Sequence, residues 1–178
     1  ESGNWLISGD PTEAALLVAA RKGGLDEVTS QALFPRHDEI PFDANRQTMS
    51  TLHEREGLRI VYMKGAPERV LNACDSMLDS AGHQIPLTRA SVAAAAHTLA
   101  RRGLRVLALA RRELALNAAI EDATAGLCLL GLAGMIDPPR PGAMAAVKTC
   151  HRAGITVKMI TGDHGETALA IARQLGIA

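Results

Sequence analysis

The spacing of apolar positions changes period several times along the first 135 residues, and each change predicts an element. Trp5 to Ser8 reads as a short strand. Gly9-Asp10-Pro11-Thr12-Glu13 then opens a helix, with Asp10 at the N-cap, Pro11 at the first helical position and Glu13 three residues past the cap. Ala14, Leu17, Val18 and Arg21 continue at helical spacing until Gly23-Gly24 ends the run. Leu25 to Phe34 offers a second helix. His37 to Phe42 reads as a strand with proline at its edge, and Gln47 to His53 with Leu58 to Lys64 reads as a hairpin around Glu54-Arg55-Glu56-Gly57. Ala66 to Cys74 predicts a short helix, Asp79 to Gln84 a turn, and Thr88 to Arg102 an Ala-rich helix closed by Gly103. Leu104 to Arg111 and Leu127 to Met135 complete the set as strands. Short connections make most of the expected pairings antiparallel, with helices interspersed.

The pattern breaks at Asp137-Pro138-Pro139-Arg140-Pro141, where prolines exclude helix and mark a hinge or linker. Beyond it, Gly142 to Ala153 predicts a helix, Ile155 to Ile160 a buried strand, and Glu166 to Leu175 a helix. That αβα order belongs to a doubly wound parallel sheet. The fold class expected is therefore α/β (α+β): an antiparallel sheet flanked by helices over residues 1–135, then an αβα fragment over residues 136–178.

Composition narrows the function. Hydrophobic residues make up 47% and charged residues 21%, enough for a packed core. The formal net charge is zero, which argues against a nucleic-acid binder and against a polybasic membrane-surface domain. One Trp, one Tyr and two Phe leave the core to aliphatics, so an exposed ring becomes a candidate contact. Cys74, Cys128 and Cys150 are far apart and read as reduced thiols; with no HExxH or CxxC, no metal site is expected. No apolar run approaches the ~18 residues of a membrane span. There is no initiating Met, and both ends read as boundaries inside a longer protein.

Several segments are candidates for chemistry, each with a plainer alternative. Thr161-Gly162-Asp163 follows an expected strand and precedes a helix, where open α/β sheets bind ligands. Thr161 can donate to a phosphate, Gly162 permits close backbone approach, and Asp163 can hold Mg²⁺; the alternative is a turn with Asp163 as helix cap. Lys64 and Gly65 end a strand ahead of a helix, placing a point charge suited to phosphate or else a solvated lysine. Arg105, Leu107 and Leu109 share a strand face, where a cation beside aliphatics can grip a sugar-phosphate and base; the alternative is an exposed arginine on a half-buried strand. Phe42 can stack on a base or fill the core. Glu13 can accept from an amino group, although capping already accounts for it. There is no GxxxxGK[ST] loop and no GxGxxG fingerprint.

Taken in order, Gly9-Asp10-Pro11-Thr12-Glu13, Pro41-Phe42 with Arg46 and Met49-Ser50, Lys64-Gly65-Ala66-Pro67-Glu68, Gly103-Leu104-Arg105-Val106-Leu107, and Asp137-Pro138-Pro139-Arg140 with Thr161-Gly162-Asp163 resemble the P-type cation-transporting ATPases, nearest to the calcium-pump-like type II branch. The resemblance runs over nearly the whole chain, and Lys-Gly-Ala-Pro-Glu together with Asp-Pro-Pro-Arg is highly specific.

It implies that residues 1–135 are the nucleotide-binding domain and residues 136–178 part of a haloacid-dehalogenase-like phosphorylation domain. Phe42 would then stack on adenine, Glu13 contact its edge, Lys64 and Gly65 line the pocket floor, Arg105 reach the phosphates and Leu107 pack on the base. Asp137, Thr161, Gly162 and Asp163 would serve phosphoryl transfer. ATP and Mg²⁺ are the implied cofactors. The implied partners are the remaining phosphorylation, actuator and transmembrane domains of a pump in a bacterial plasma membrane. Calcium is the first ion to consider, and the chain alone is expected to be a monomer. Two departures weaken the phosphate grip: Gln47 stands where the family usually has Lys, and Ala44 where a basic residue is common, leaving Arg46 to compensate. The Asp-Lys-Thr-Gly-Thr and Gly-Asp-Gly-x-Asn-Asp segments do not occur in this chain, so it is expected to bind nucleotide without turning it over. Two rivals remain: a haloacid-dehalogenase-type phosphatase, whose Asp-x-Asp-x-Thr does not occur here, and a non-enzymatic interaction domain.

Overall fold

The computed structural model describes residues 10–135, 140–161 and 165–177. The expected strand at Trp5 to Ser8 and the hinge prolines Pro138 and Pro139 lie outside them.

The chain divides into two compact units, residues 1–87 with 108–133, and residues 88–107 with 134–178. The first unit opens with α1 (Pro11–Lys22) and α2 (Glu27–Leu33). Asp10 caps α1 as predicted, its Oδ1 accepting from the backbone N–H of Thr12 at 2.6 Å and of Glu13 at 3.4 Å. Three antiparallel strands follow: β1 (Arg36–Asp43), β2 (Thr48–Arg55) and β3 (Leu58–Gly65). The β2–β3 hairpin turns at Glu56 and Gly57, both in the left-handed region at φ 51° and 82°. The short helix α3 (Pro67–Ala73) leads into β4 (Cys74–Leu78) and β5 (Gln84–Pro86), joined by the turn that Asp79 organises. β6 (Arg105–Leu114) and β7 (Leu127–Met135) complete one sheet in the order β1-β2-β3-β6-β7-β4-β5.

As expected, most pairings in the sheet are antiparallel; β4 pairs parallel with β7, Cys74 opposite Leu127 and Met77 opposite Leu129. One face of β2 and β3 carries the buried core of Leu52, Val61, Ile120 and Ala123, with Ile40 and Leu114 against it. Ile120 and Ala123 come from a 3-10 turn, Ile120–Ala123, between β6 and β7. Arg59 secures the chain just before that turn, donating from Nη1 to the carbonyls of Leu116 and Ala118, each at 2.8 Å.

The second unit holds α4 (Arg89–Arg101), α5 (Pro141–Arg152) and α6 (Gly165–Leu175). α6 lies against the Gly103-Leu104 turn: a Cβ on Gly103, at φ 80°, would stand 3.1 Å from Ala170 Cβ, and Thr167 Oγ1 donates to Leu104 O at 3.4 Å. Ile155 to Ile160, expected as a buried strand, is not one. It carries no ladder bonds, and Ile160 is 98% exposed. An extended segment becomes a strand only when a neighbour satisfies its backbone groups, and none of the described strands pairs with it.

Candidate functional site

Strand alternation puts Met49 and Thr51 of β2 on one face of the sheet with Lys64 and Tyr62 of β3, directly opposite one another in the register. Leu109 of β6 pairs with Lys64 and extends that face. These residues wall a cavity of about 380 Å³, closed further by Leu130, Arg36 and Glu13. Glu13 is brought in by α1, and its carboxylate pairs with the Lys64 ammonium across 51 residues of chain. The Lys64 side chain is only 22% exposed, whereas the Glu13 side chain is 54% exposed. The cavity thus has apolar walls of Met49, Tyr62 and Leu109, with a cation and an anion facing each other at its edge. A flat, partly polar ring fits such a lining, and the volume lies in the range of about 300–1,000 Å³ usual for small-molecule sites.

Gly65 fixes where Lys64 stands. A Cβ there would overlap the carbonyl oxygen of Gln47 and come within 2.8 Å of Thr48 Cα and Cγ2. The close approach that Gly65 permits is therefore to the chain's own β1–β2 turn. That turn is built on Asp43, whose Oδ1 accepts from the backbone N–H of Asn45 at 2.9 Å and of Arg46 at 3.0 Å. Gln47 then takes the left-handed conformation, φ 56°. Its carbonyl accepts from Ala66 N at 3.0 Å, tying the turn to the residue after Gly65.

The Arg46 N–H, followed by that of Asn45, holds the Asp43 carboxyl below its ordinary value of 3.8. A depressed folded-state value means stabilisation that is complete above the unfolded value and is lost as pH falls through the folded one. We expect the amide resonances of Asn45 and Arg46 to move together below pH ~4, and Asp43→Asn to flatten that acid limb of stability. A limb unchanged in the variant would show that Asp43 does not set it.

The other expected residues fall into three groups. Phe42, on β1, is 64% exposed, so it is not a core ring. The register places it beside the Asp43–Thr48 pair, two strand spacings or roughly 10 Å across the sheet from Lys64. It does not line the Glu13–Lys64 cavity, and neither does Arg46, which lines a different one and donates from Nη2 to Pro41 O at 2.8 Å. Arg105 and Leu107 open β6 within the second compact unit, Arg105 exposed and Leu107 half-buried. Thr161 is exposed; Asp137, Gly162 and Asp163 lie outside the described residues. Sequence reasoning missed Tyr62, Met49 and Arg36 as lining residues. The hairpin register alone puts Tyr62 and Met49 on the face of Lys64, so that signal was available; nothing in the spacing points to Arg36.

A family profile described as P-type ATPase, cytoplasmic domain N, matches residues 1–142. The cation-transporting ATPase pma1 of Synechocystis sp. is 48% identical over 178 residues, covering 98% of this chain and 20% of that protein. The sodium/potassium exporting P-type ATPase cta3 of Schizosaccharomyces pombe is 40% identical over 185 residues, 99% of this chain and 18% of that protein. The calcium-transporting ATPase of Bacillus subtilis is 39% identical over 178 residues, 97% of this chain and 20% of that protein. The chain spans about a fifth of the length of these relatives.

Proposed function

Because the chain belongs to the P-type cation ATPases and carries their cytoplasmic domain N, we propose that it holds the adenosine end of ATP for a membrane pump that moves cations through an aspartyl-phosphate intermediate. The observation that carries this is the meeting of Glu13 and Lys64 at one apolar-walled cavity. Lys64 lines it beside the base and ribose, Glu13 accepts from the base's amino group, and Tyr62, Met49 and Leu109 exclude water from the ring. Phe42, solvent-facing on β1, stacks on the base; Arg105 meets the phosphates, and Leu107 packs on the ring. Residues 1–135 are the nucleotide-binding domain, and residues 136–178 open a haloacid-dehalogenase-like phosphorylation domain. There Asp137, Thr161, Gly162 and Asp163 support phosphoryl transfer. Bound Mg²⁺ would supply charge neutralisation at the phosphates. The actuator, the rest of the phosphorylation domain and the membrane helices are the partners, and a hinge at Asp137 lets the nucleotide reach the nucleophile. Relatives named for calcium transport make calcium the first ion to assay.

The test is a titration of the isotope-labelled chain with ATP. Amide shifts should cluster at Phe42, Tyr62 and Lys64 with Kd on the order of 0.1 to a few mM, or roughly 4–5 kcal/mol, and no sustained hydrolysis should accompany them. A spectrum that ATP leaves unmoved at these residues would refute the proposal.

A further inference from the structure

A second cavity of about 580 Å³ opens on the same three strands. Strand alternation points Ser50 and Met63 away from the face of Lys64, Tyr62 and Thr51, toward this cavity's floor. Ile120 and Ala123 complete an apolar bed. Within it Ser50 is only 5% exposed, and its hydroxyl makes no hydrogen bond among the described residues. That hydroxyl keeps its donor and acceptor capacity for a ligand atom.

Two guanidiniums stand at the cavity's edge. Arg46 is held by Pro41 O, and Arg69 donates from Nε to Gln47 Oε1 at 3.3 Å. Neither forms an ion pair with a carboxylate among the described residues, and Glu121 is the one acidic residue in the lining. A single hydrogen bond on each arginine restrains the stem and leaves most of the five-donor fork unspent. Gln47 is what makes this possible: its amide oxygen accepts from Arg69, whereas a lysine there has no acceptor and would repel it.

We propose that this cavity binds a small organic oxyanion, a phosphate monoester or a carboxylate. Its charged head sits between Arg46 and Arg69, its apolar body lies on Met63, Ile120 and Ala123, and the Ser50 hydroxyl is a further polar contact. Guanidinium forks match both oxyanions in bidentate fashion. This site shares Met49 and Met63 with the lining of the Glu13–Lys64 cavity but has its own cations, Arg46 and Arg69, and stands whether or not that cavity takes a nucleotide.

Titrating the labelled chain with phenyl phosphate, and separately with benzoate, tests it. Shifts are expected at Ser50, Met63, Arg69 and Ala123, and Arg69→Gln should weaken binding about tenfold, the loss of one charge-assisted contact. The thermal midpoint of that variant checks that it is folded, and Ser50→Ala supplies an independent second loss. Tighter binding of phenyl phosphate identifies the phosphate ester as the preferred head, and tighter binding of benzoate the carboxylate. The proposal is overturned if neither probe moves these amides, if Arg69→Gln and Ser50→Ala both bind as well as the parent, or if ATP displaces phenyl phosphate competitively, which would make the two cavities one site.

Discussion

Gly65→Ala is expected to lower the midpoint of thermal unfolding by about 10 °C, corresponding to roughly 3 kcal/mol of lost stability. The cause is steric and local. Gly65 is buried at the end of β3, opposite Thr48, and a methyl group there meets the Gln47 carbonyl and the Thr48 Cα, atoms of a paired strand and turn that cannot swing aside as a side chain would. Relief requires the turn to move, which gives up the bond from Ala66 N to Gln47 O and loosens the Asp43 cap behind it. Gly142→Ala is the matched control: it sits in α5 with nothing within 4 Å of an added Cβ. It should leave the midpoint unchanged or raise it slightly, since alanine is the better helix former. A Gly65→Ala protein that melts with the parent would mean the β1–β2 turn yields freely, and that Lys64 is not fixed by it.

That turn also shows what the sequence could and could not disclose. Its parts were legible one by one, because their signals are local. Asp10-Pro11 announced the start of α1, Glu56-Gly57 the hairpin, and alternation from Leu58 to Lys64 gave the strand. What stayed hidden was nonlocal. The strand Cys74–Leu78 has no alternation of its own and exists because β7 runs parallel beside it. Ile155 to Ile160 has the opposite history: strong β-branched character, yet no pairing partner among the described residues and hence no strand. At the candidate site, capping chemistry explained Glu13 well enough to mask its second use, because the Asp10 side chain does the capping and leaves the Glu13 carboxylate to reach Lys64. No periodicity in the sequence encodes a pair 51 residues apart. Arg46 likewise reads as one more cation near Phe42, and only the structure shows that it lines a second cavity, one that shares Met49 and Met63 with that of Lys64.

Phe42→Ala is expected to weaken ATP binding by about tenfold or more while leaving stability within about 0.5 kcal/mol of the parent. The two halves of that expectation have one cause. A ring 64% exposed on β1 buries little in the free protein, so its removal opens no cavity. The same exposure leaves its face available to a base, and stacking is worth roughly 1–3 kcal/mol per base. Lys64→Met should match the loss of affinity through a different route. It removes the cation at the edge of the cavity and strands the Glu13 carboxylate without its partner, close to where the ligand's own charge arrives. Calorimetric titration of both variants beside thermal melts separates the possibilities. Lower affinity with an unmoved melt for Phe42→Ala assigns the ring to recognition. A lowered melt with affinity intact would return Phe42 to a packing role and leave the Glu13–Lys64 cavity without the stacking partner that the nucleotide proposal requires.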